Sequence, residues 1–283
     1  MNYRLGESSP VDSVTVVIGR SAMLEFRILG PLEAVRDGRL IPLGGAKQRT
    51  LLAALLLRKD QAASTNQLID ELWDQSPPSG ARGTVHRYVR RLRTSLQDDA
   101  SGTPKLVLGD AFGYRIDVRL CGFDLHQFDL LAAEGRGALA RDDPALAAEK
   151  LRAALALWRG RPLDDVPSEP LRSANQALLI EKQLAVLEDR IEADLRLGRQ
   201  SELIGELPEL VRAHPARERL NGQLMLALFR ADRQTDALRA YQDTRRLLIE
   251  EHGVEPSRGL RELQHAIVNA DPALNGQLLS TLK

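Results

Sequence analysis

Five arginines and no acid stand in one short stretch: Arg82, Arg87, Arg90, Arg91 and Arg93, within a segment that ends at Leu96. The chemistry they suit is recognition of an anion, because the planar guanidinium forks onto phosphate oxygens and onto the O6/N7 edge of guanine. At about 100° per residue, Val85, Val89, Leu92 and Leu96 fall on one stripe of an α-helix. Arg87, Arg90, Arg91 and Thr94 then face the opposite way, with His86 and Arg93 on one flank and Thr84 and Tyr88 on the other. Like charges four apart, as at Arg87 and Arg91, weaken an isolated helix. The pattern therefore points to a polyanion as counterpart, and to a helix that enters a DNA major groove. On the helix alone, a solvated basic face is the alternative.

The elements around this helix favour the first reading. Upstream, Met23 to Leu43 reads as short strands, with Phe26, Ile28 and Val35 as strand formers and Asp37-Gly38 as a hairpin turn. Lys47 to Lys59 reads as a helix with an apolar block at Leu51, Leu52, Leu55 and Leu56. Ser64, with Gln67 three residues later, caps a second helix through Leu68, Ile69, Leu72 and Trp73, and Pro77-Pro78 turns the chain into the arginine helix. Two β runs around Gly109 to Gly113 follow. Strands, two helices, a basic helix and a hairpin make a winged helix-turn-helix.

From Phe123 onward the pattern is helical. Helices are expected over Leu125–Ala140, Pro144–Trp158, Leu171–Leu197, Gln200–His214, Arg217–Ala231, Thr235–His252 and Ser257–Asn269. Ile191, Leu195, Gly198, Leu203 and Leu207 recur 34 residues later as Met225, Phe229, Asp232, Ala237 and Tyr241, which is the tetratricopeptide period. Asp194 and Asn221 sit where that repeat normally carries apolar or aromatic residues. The fold class expected is thus mainly α with a small β component, a winged helix followed by an all-α helical-repeat domain.

Catalytic and cofactor chemistry find no support. His86, His126, His214, His252 and His265 are scattered, and the pairs Asp142-Asp143 and Asp164-Asp165 read as cap and loop residues. Cys121 is the only cysteine, so neither a disulfide framework nor a cysteine-rich zinc site fits one chain. The stretch Leu43 to Thr50 holds glycines, Lys47 and a hydroxyl but lacks the Gly-Lys-Ser/Thr ending of a phosphate loop; it reads as a turn into a helix, with Lys47 or Arg49 free to meet a DNA phosphate. No cofactor, no metal and no enzyme activity are expected. No apolar run is long enough to span a bilayer and no secretory pattern is present, so a cytoplasmic protein is expected. Net charge is zero, with 39 basic and 39 acidic residues; the local arginine cluster carries the signal instead.

Residues 23–118 resemble the OmpR/PhoB-type winged-helix DNA-binding domain, notably at Thr84-Val85, Val89 to Arg93 and Gly113-Tyr114. Together with the helical half, the chain resembles the Streptomyces antibiotic regulatory protein family in its small form, also at Lys47 to Arg49, Leu72-Trp73 and Pro77-Pro78. The resemblance covers roughly residues 23–270. Residues 1–22, with the breaker Ser8-Ser9-Pro10, read as a disordered extension and 271–283 as a tail, while the resemblance implies a DNA-binding domain over 23–118 and a bacterial transcriptional activation domain over 119–270. By facing direction and by match to the related domains, Arg87 and Arg91 are expected to read bases. Thr84, Tyr88, Arg90 and Arg93 are expected to hold phosphates, with Lys47 and Arg49 as further candidates and Lys105 and Arg115 as the cations of the wing. The resemblance also implies activation of an antibiotic-type gene cluster from direct repeats near the −35 region. Head-to-tail subunits on double-stranded DNA and contact with RNA polymerase, through its σ factor, go with it. A repeat-based adaptor or a repressor on the same fold is the alternative.

Overall fold

The computed structural model describes residues 24–59, 61–74, 76–96, 106–110 and 113–275, with Asn275 described by its backbone only. The expected extension over 1–22, the wing cation Lys105 and residues 276–283 of the expected tail lie outside this set.

Strands β1 (Leu24–Arg27), β2 (Glu33–Arg36) and β3 (Arg39–Leu40) form an antiparallel meander. Asp37 and Gly38 both take left-handed backbone (φ +50° and +78°), the geometry that a two-residue hairpin turn requires. Helices α1 (Ala46–Leu57), α2 (Thr65–Trp73) and α3 (Ala81–Leu96) follow. Leu51, Leu52, Leu55 and Leu56 of α1 are fully buried, and Val85, Val89, Leu92 and Leu96 of α3 pack into the same core. The capping box at α2 is formed: Gln67 N–H donates to Ser64 Oγ at 3.2 Å and Ser64 N–H to Gln67 Oε1 at 2.9 Å. The wing is β4 (Val107–Gly109) paired antiparallel with β5 (Tyr114–Ile116).

Strand β6 (Gly122–Phe123) then runs parallel to β1, placing Phe123 opposite Phe26 and giving the sheet order β3-β2-β1-β6. It leads into α4 (Asp124–Ala140) and α5 (Pro144–Leu155), the long α6 (Glu169–Arg196), and then α7 (Gln200–Ala213), α8 (Glu218–Arg230) and α9 (Gln234–Leu247). A single π-helical turn, Leu248–His252, closes α9 at Gly253 (φ +68°), and α10 (Arg258–Val268) follows its Ser257 cap.

The repeat is visible in the backbone. Asp142, Gly198 and Asp232 occupy equivalent left-handed turns (φ +58°, +73° and +60°). After each, an amide reaches back five residues: Asp143 to Ala138 O, Arg199 to Asp194 O and Arg233 to Leu228 O, at 2.9, 3.0 and 2.9 Å. The two residues that depart from the repeat pattern are buried and partnered. Asp194 takes Arg152, Arg190 and Arg199, and Asn221 is held between Pro215 O, Arg217 O and the Thr244 hydroxyl. Asp143 caps α5 through Leu146 N–H at 3.0 Å.

Two features go beyond the expected division at 118/119. The first apolar core runs without a break from β1 and α1–α3 into α4, α5 and α6, where it includes Leu171, Leu179, Val186 and Ala193. The second core continues past residue 270, because Leu274, in a 3-10 turn at Pro272–Asn275, is buried at 2% exposure against it.

Candidate nucleic-acid interface

The stripe that α3 buries leaves Arg82, His86, Arg87, Arg90, Arg91 and Thr94 exposed, with Thr84, Tyr88 and Arg93 half-buried. Arg87, Arg90, Arg91 and Thr94 therefore share one solvent-facing surface. They line one side of a shallow groove of about 600 Å3, whose opposite wall is Pro42, Gly44 and Gln48 at the entry to α1. Arg87 donates to Thr84 Oγ1 at 2.9 Å, and that hydroxyl donates back to Gly80 O at 3.1 Å. The C-terminus of α3 receives the Arg36 guanidinium at Leu96 O, a cation at the negative end of the helix dipole.

The wing is fastened to α3 by two side chains. Arg93 Nε donates to Val107 O of β4 at 2.9 Å. His86 Nδ1 is hydrogen-bonded to the Tyr114 hydroxyl of β5, the two rings meeting edge to face at 5.8 Å. The wing also pairs with the loop before α2, through Ala63 N–H to Tyr114 O (2.7 Å) and Tyr114 N–H to Ala63 O (2.9 Å). That approach explains Gly113: its φ is +152°, and a Cβ there would sit 1.9 Å from Ala63 O. At the wing turn, Gly113 N–H donates to Asp110 Oδ1 at 3.0 Å. Arg115 lies half-buried on β5, paired across the ladder with Leu108.

Two of the expected phosphate residues have partners within the fold. Arg49 turns to the junction of the two halves, donating to Leu32 O at 3.0 Å and pairing with Asp165. Lys47 is drawn onto α2: its ammonium donates to Leu72 O and lies 5.8 Å from the centre of the Trp73 ring. Both cations donate to carbonyls of the fold. Arg93, through its Nε, is in part a wing fastener. Tyr88 stacks on Trp73 at 6.4 Å and 21°, which fixes the ring on its flank of α3.

Residues whose partners the sequence did not announce join this unit to the helical half. The Asp124 carboxylate, 3% exposed, accepts from Ile28 and Leu29 N–H at 2.8 and 2.9 Å and from Leu125 N–H at 2.8 Å. Burial pushes its pKa from 3.8 up to about 6, against the pull of those amides and of Arg159. Asp165 accepts from Leu32 N–H at 2.8 Å, and Arg159 donates to Pro31 O at 2.9 Å. Lys59 of the first half and Lys182 of the second share Asp129 at 2.9 and 2.7 Å. No local pattern announces these long-range contacts, which join residues from 53 to 133 positions apart.

Among the described residues no group of three or more His, Cys, Asp or Glu is placed to hold a metal ion, and no helix is long and apolar enough to cross a membrane.

Comparison with known proteins agrees with this geometry. The profile of the bacterial transcriptional activator domain matches residues 123–268, and that of the C-terminal domain of transcriptional regulatory proteins matches residues 41–116. The chain is similar to the regulatory protein AfsR of Streptomyces coelicolor, 44% identical over 255 residues, which are 90% of this chain and 25% of AfsR. It is also similar to the regulatory protein DnrI of Streptomyces peucetius, 38% identical over 257 residues, covering 89% of this chain and 94% of DnrI. It thus spans about a quarter of the length of AfsR and nearly all of DnrI. Among solved structures, that of Mycobacterium tuberculosis EmbR in complex with a low-affinity phosphopeptide superposes with a TM-score of 0.84 and 34% identity, over 89% of this chain and 66% of EmbR.

Proposed function

This chain belongs to the Streptomyces antibiotic regulatory protein family of DNA-binding transcriptional regulators, and from that premise we propose that it activates a secondary-metabolite gene cluster by reading tandem direct repeats near the −35 region. The observation that carries the reading is the exposed face of Arg87, Arg90, Arg91 and Thr94 on a helix whose other sides are held by the wing and by the core. In this proposal Arg87 and Arg91 read bases, while Thr84, Tyr88, Arg90 and the free end of Arg93 hold phosphates, with Arg115 near the backbone at the wing. The protein acts by binding and carries out no catalysis, in the cytoplasm on the nucleoid.

One winged helix reads a short site, so useful specificity needs two copies about one helical turn, roughly 10–11 bp, apart. Direct repeats place the subunits head to tail, and the helical domain then covers its neighbour and meets RNA polymerase through its σ factor. Its charge of −3 over residues 119–283 suits protein contact better than further DNA contact. The test is footprinting and in vitro transcription with the full chain on DNA that it selects from a randomised duplex library. The expected result is protection of two equally spaced half-sites in the same orientation and polymerase-dependent activation. A palindromic footprint, or repression of a transcript that starts without the protein, would overturn the proposal.

A further inference from the structure

Helix α2 ends just before the turn that aims α3, and the last four carbonyls of any helix lack partners within it. Here each of the four finds one. Asp70 O accepts from Asp74 N–H at 2.7 Å and Trp73 O from Ser76 N–H at 3.1 Å, both within the turn itself. Leu72 O accepts from the Lys47 ammonium of α1. Glu71 O accepts from the hydroxyl of Ser168, at 2.8 Å, and Ser168 belongs to the helical domain, 97 positions away. The same hydroxyl oxygen caps α6 by accepting from Leu171 N–H at 3.4 Å, and the residue is 9% exposed. The capped end leads directly to the DNA-reading helix, since Trp73 stacks on Tyr88 of α3.

We propose that Ser168 is a positioning residue for DNA reading: the helical domain completes the helix-turn-helix by capping α2, and so holds the angle at which α3 meets DNA. This rests on the assignment of α3 as the reading helix. A hydroxyl is needed at this place because it donates to Glu71 O while accepting at the α6 terminus. Alanine would lose both bonds, whereas aspartate keeps the acceptor for Leu171 and loses the donor. Ser168→Asp therefore removes the cross-domain donor, keeps the α6 cap and sets a carboxylate against Glu71 O, and Ser168→Thr retains both bonds.

The experiment uses the full chain. Affinity is measured for a duplex selected by the unmodified chain from a randomised library and for sonicated genomic DNA, with hydrogen exchange read over residues 65–80. Loss of the hydrogen bond alone, about 0.5–1.5 kcal/mol, predicts that Ser168→Asp weakens specific binding by at least roughly two- to tenfold, with the carboxylate's repulsion of Glu71 O adding to it. Binding to genomic DNA, which rests on phosphate contacts, should change far less, and exchange should quicken over 65–80 before other segments. Ser168→Thr should behave as the unmodified chain. Wild-type specific affinity in Ser168→Asp would overturn the proposal. So would an equal loss of both affinities accompanied by faster exchange throughout the chain, which is the signature of a general loss of fold. If the unmodified chain selects no sequence, the DNA-reading assignment falls instead, and exchange over 65–80 still decides the role of Ser168.

Discussion

Arg91 and Arg49 carry the same guanidinium in opposite settings. Arg91 stands exposed at the middle of α3, so Arg91→Ala should remove about 1–3 kcal/mol of discrimination between specific and random DNA and leave the thermal midpoint unchanged. Arg49 holds Leu32 O and Asp165; Arg49→Ala should lower stability by about 1–2 kcal/mol while the salt dependence of DNA binding keeps its slope. Denaturant melts together with binding at several salt concentrations separate the two. A flatter slope for Arg49→Ala would return it to the phosphate contacts. Asp124 gives a pH dependence with a defined sign. Its folded pKa of about 6 lies above the ordinary 3.8, so the native state holds the extra proton. The stability this supplies is fully present below about pH 4 and lost as pH rises through 6. Acids with depressed pKa oppose this at lower pH. The Arg119 side chain holds Asp117 down; at Asp129 burial raises the pKa, but Lys182 and Lys59 prevail and hold it below the usual range. Their stabilisation disappears as pH falls through those lowered values. Melts across this range should show the midpoint declining between about pH 4 and pH 6, and a midpoint that climbs over that interval would contradict the account.

At the scale of elements, the wing is held to α3 by His86 and Arg93 and to the loop before α2 at Gly113. Gly113→Ala would bring a methyl against Ala63 O and should part the wing from the loop before α2, costing about 1–3 kcal/mol. DNA affinity should fall with it, since His86 and Arg93 lose their fixed partners. Asp110→Asn is the control. An asparagine oxygen can still accept from Gly113 N–H, and the lost negative charge should leave DNA binding unchanged or stronger. A large loss of affinity in Asp110→Asn would assign the carboxylate a role of its own. Circular dichroism melts and binding isotherms on the two variants check both statements.

On the scale of the whole molecule, one apolar core is shared by the residues before and after position 120. A fragment of residues 23–120 would lack β6, the Asp124 carboxylate that receives the amides of Ile28 and Leu29, and Ser168. It would also expose the face of β1 and α1 that packs on α4 and α6. The fragment should therefore melt well below the full chain or without a cooperative transition, and bind DNA more weakly. A fragment that melts like the full chain would show that the shared core contributes little to the DNA-binding half.

Much of this was legible beforehand for a physical reason. Helical periodicity, the Ser64/Gln67 box, the Asp37-Gly38 turn and the 34-residue repeat are local signals, each written within a few turns of chain. They place the strands, the helices and the arginine face without reference to anything distant. Even Asp143 as a cap could be read from its position before Pro144. What an exposed cation binds, however, depends on which carbonyl or carboxylate the fold carries to it. Lys47 and Arg49 have phosphate-binding chemistry and a helix start to use it at, yet Leu72 O, Leu32 O and Asp165 reach them first. Asp124, Arg159 and Ser168 likewise gained their roles from partners 95 or more positions apart: Leu29, Pro31 and Glu71. Tertiary structure alone decided these pairings, because a buried carboxylate or hydroxyl must find its partners wherever packing has placed them, and sequence spacing carries no record of that distance.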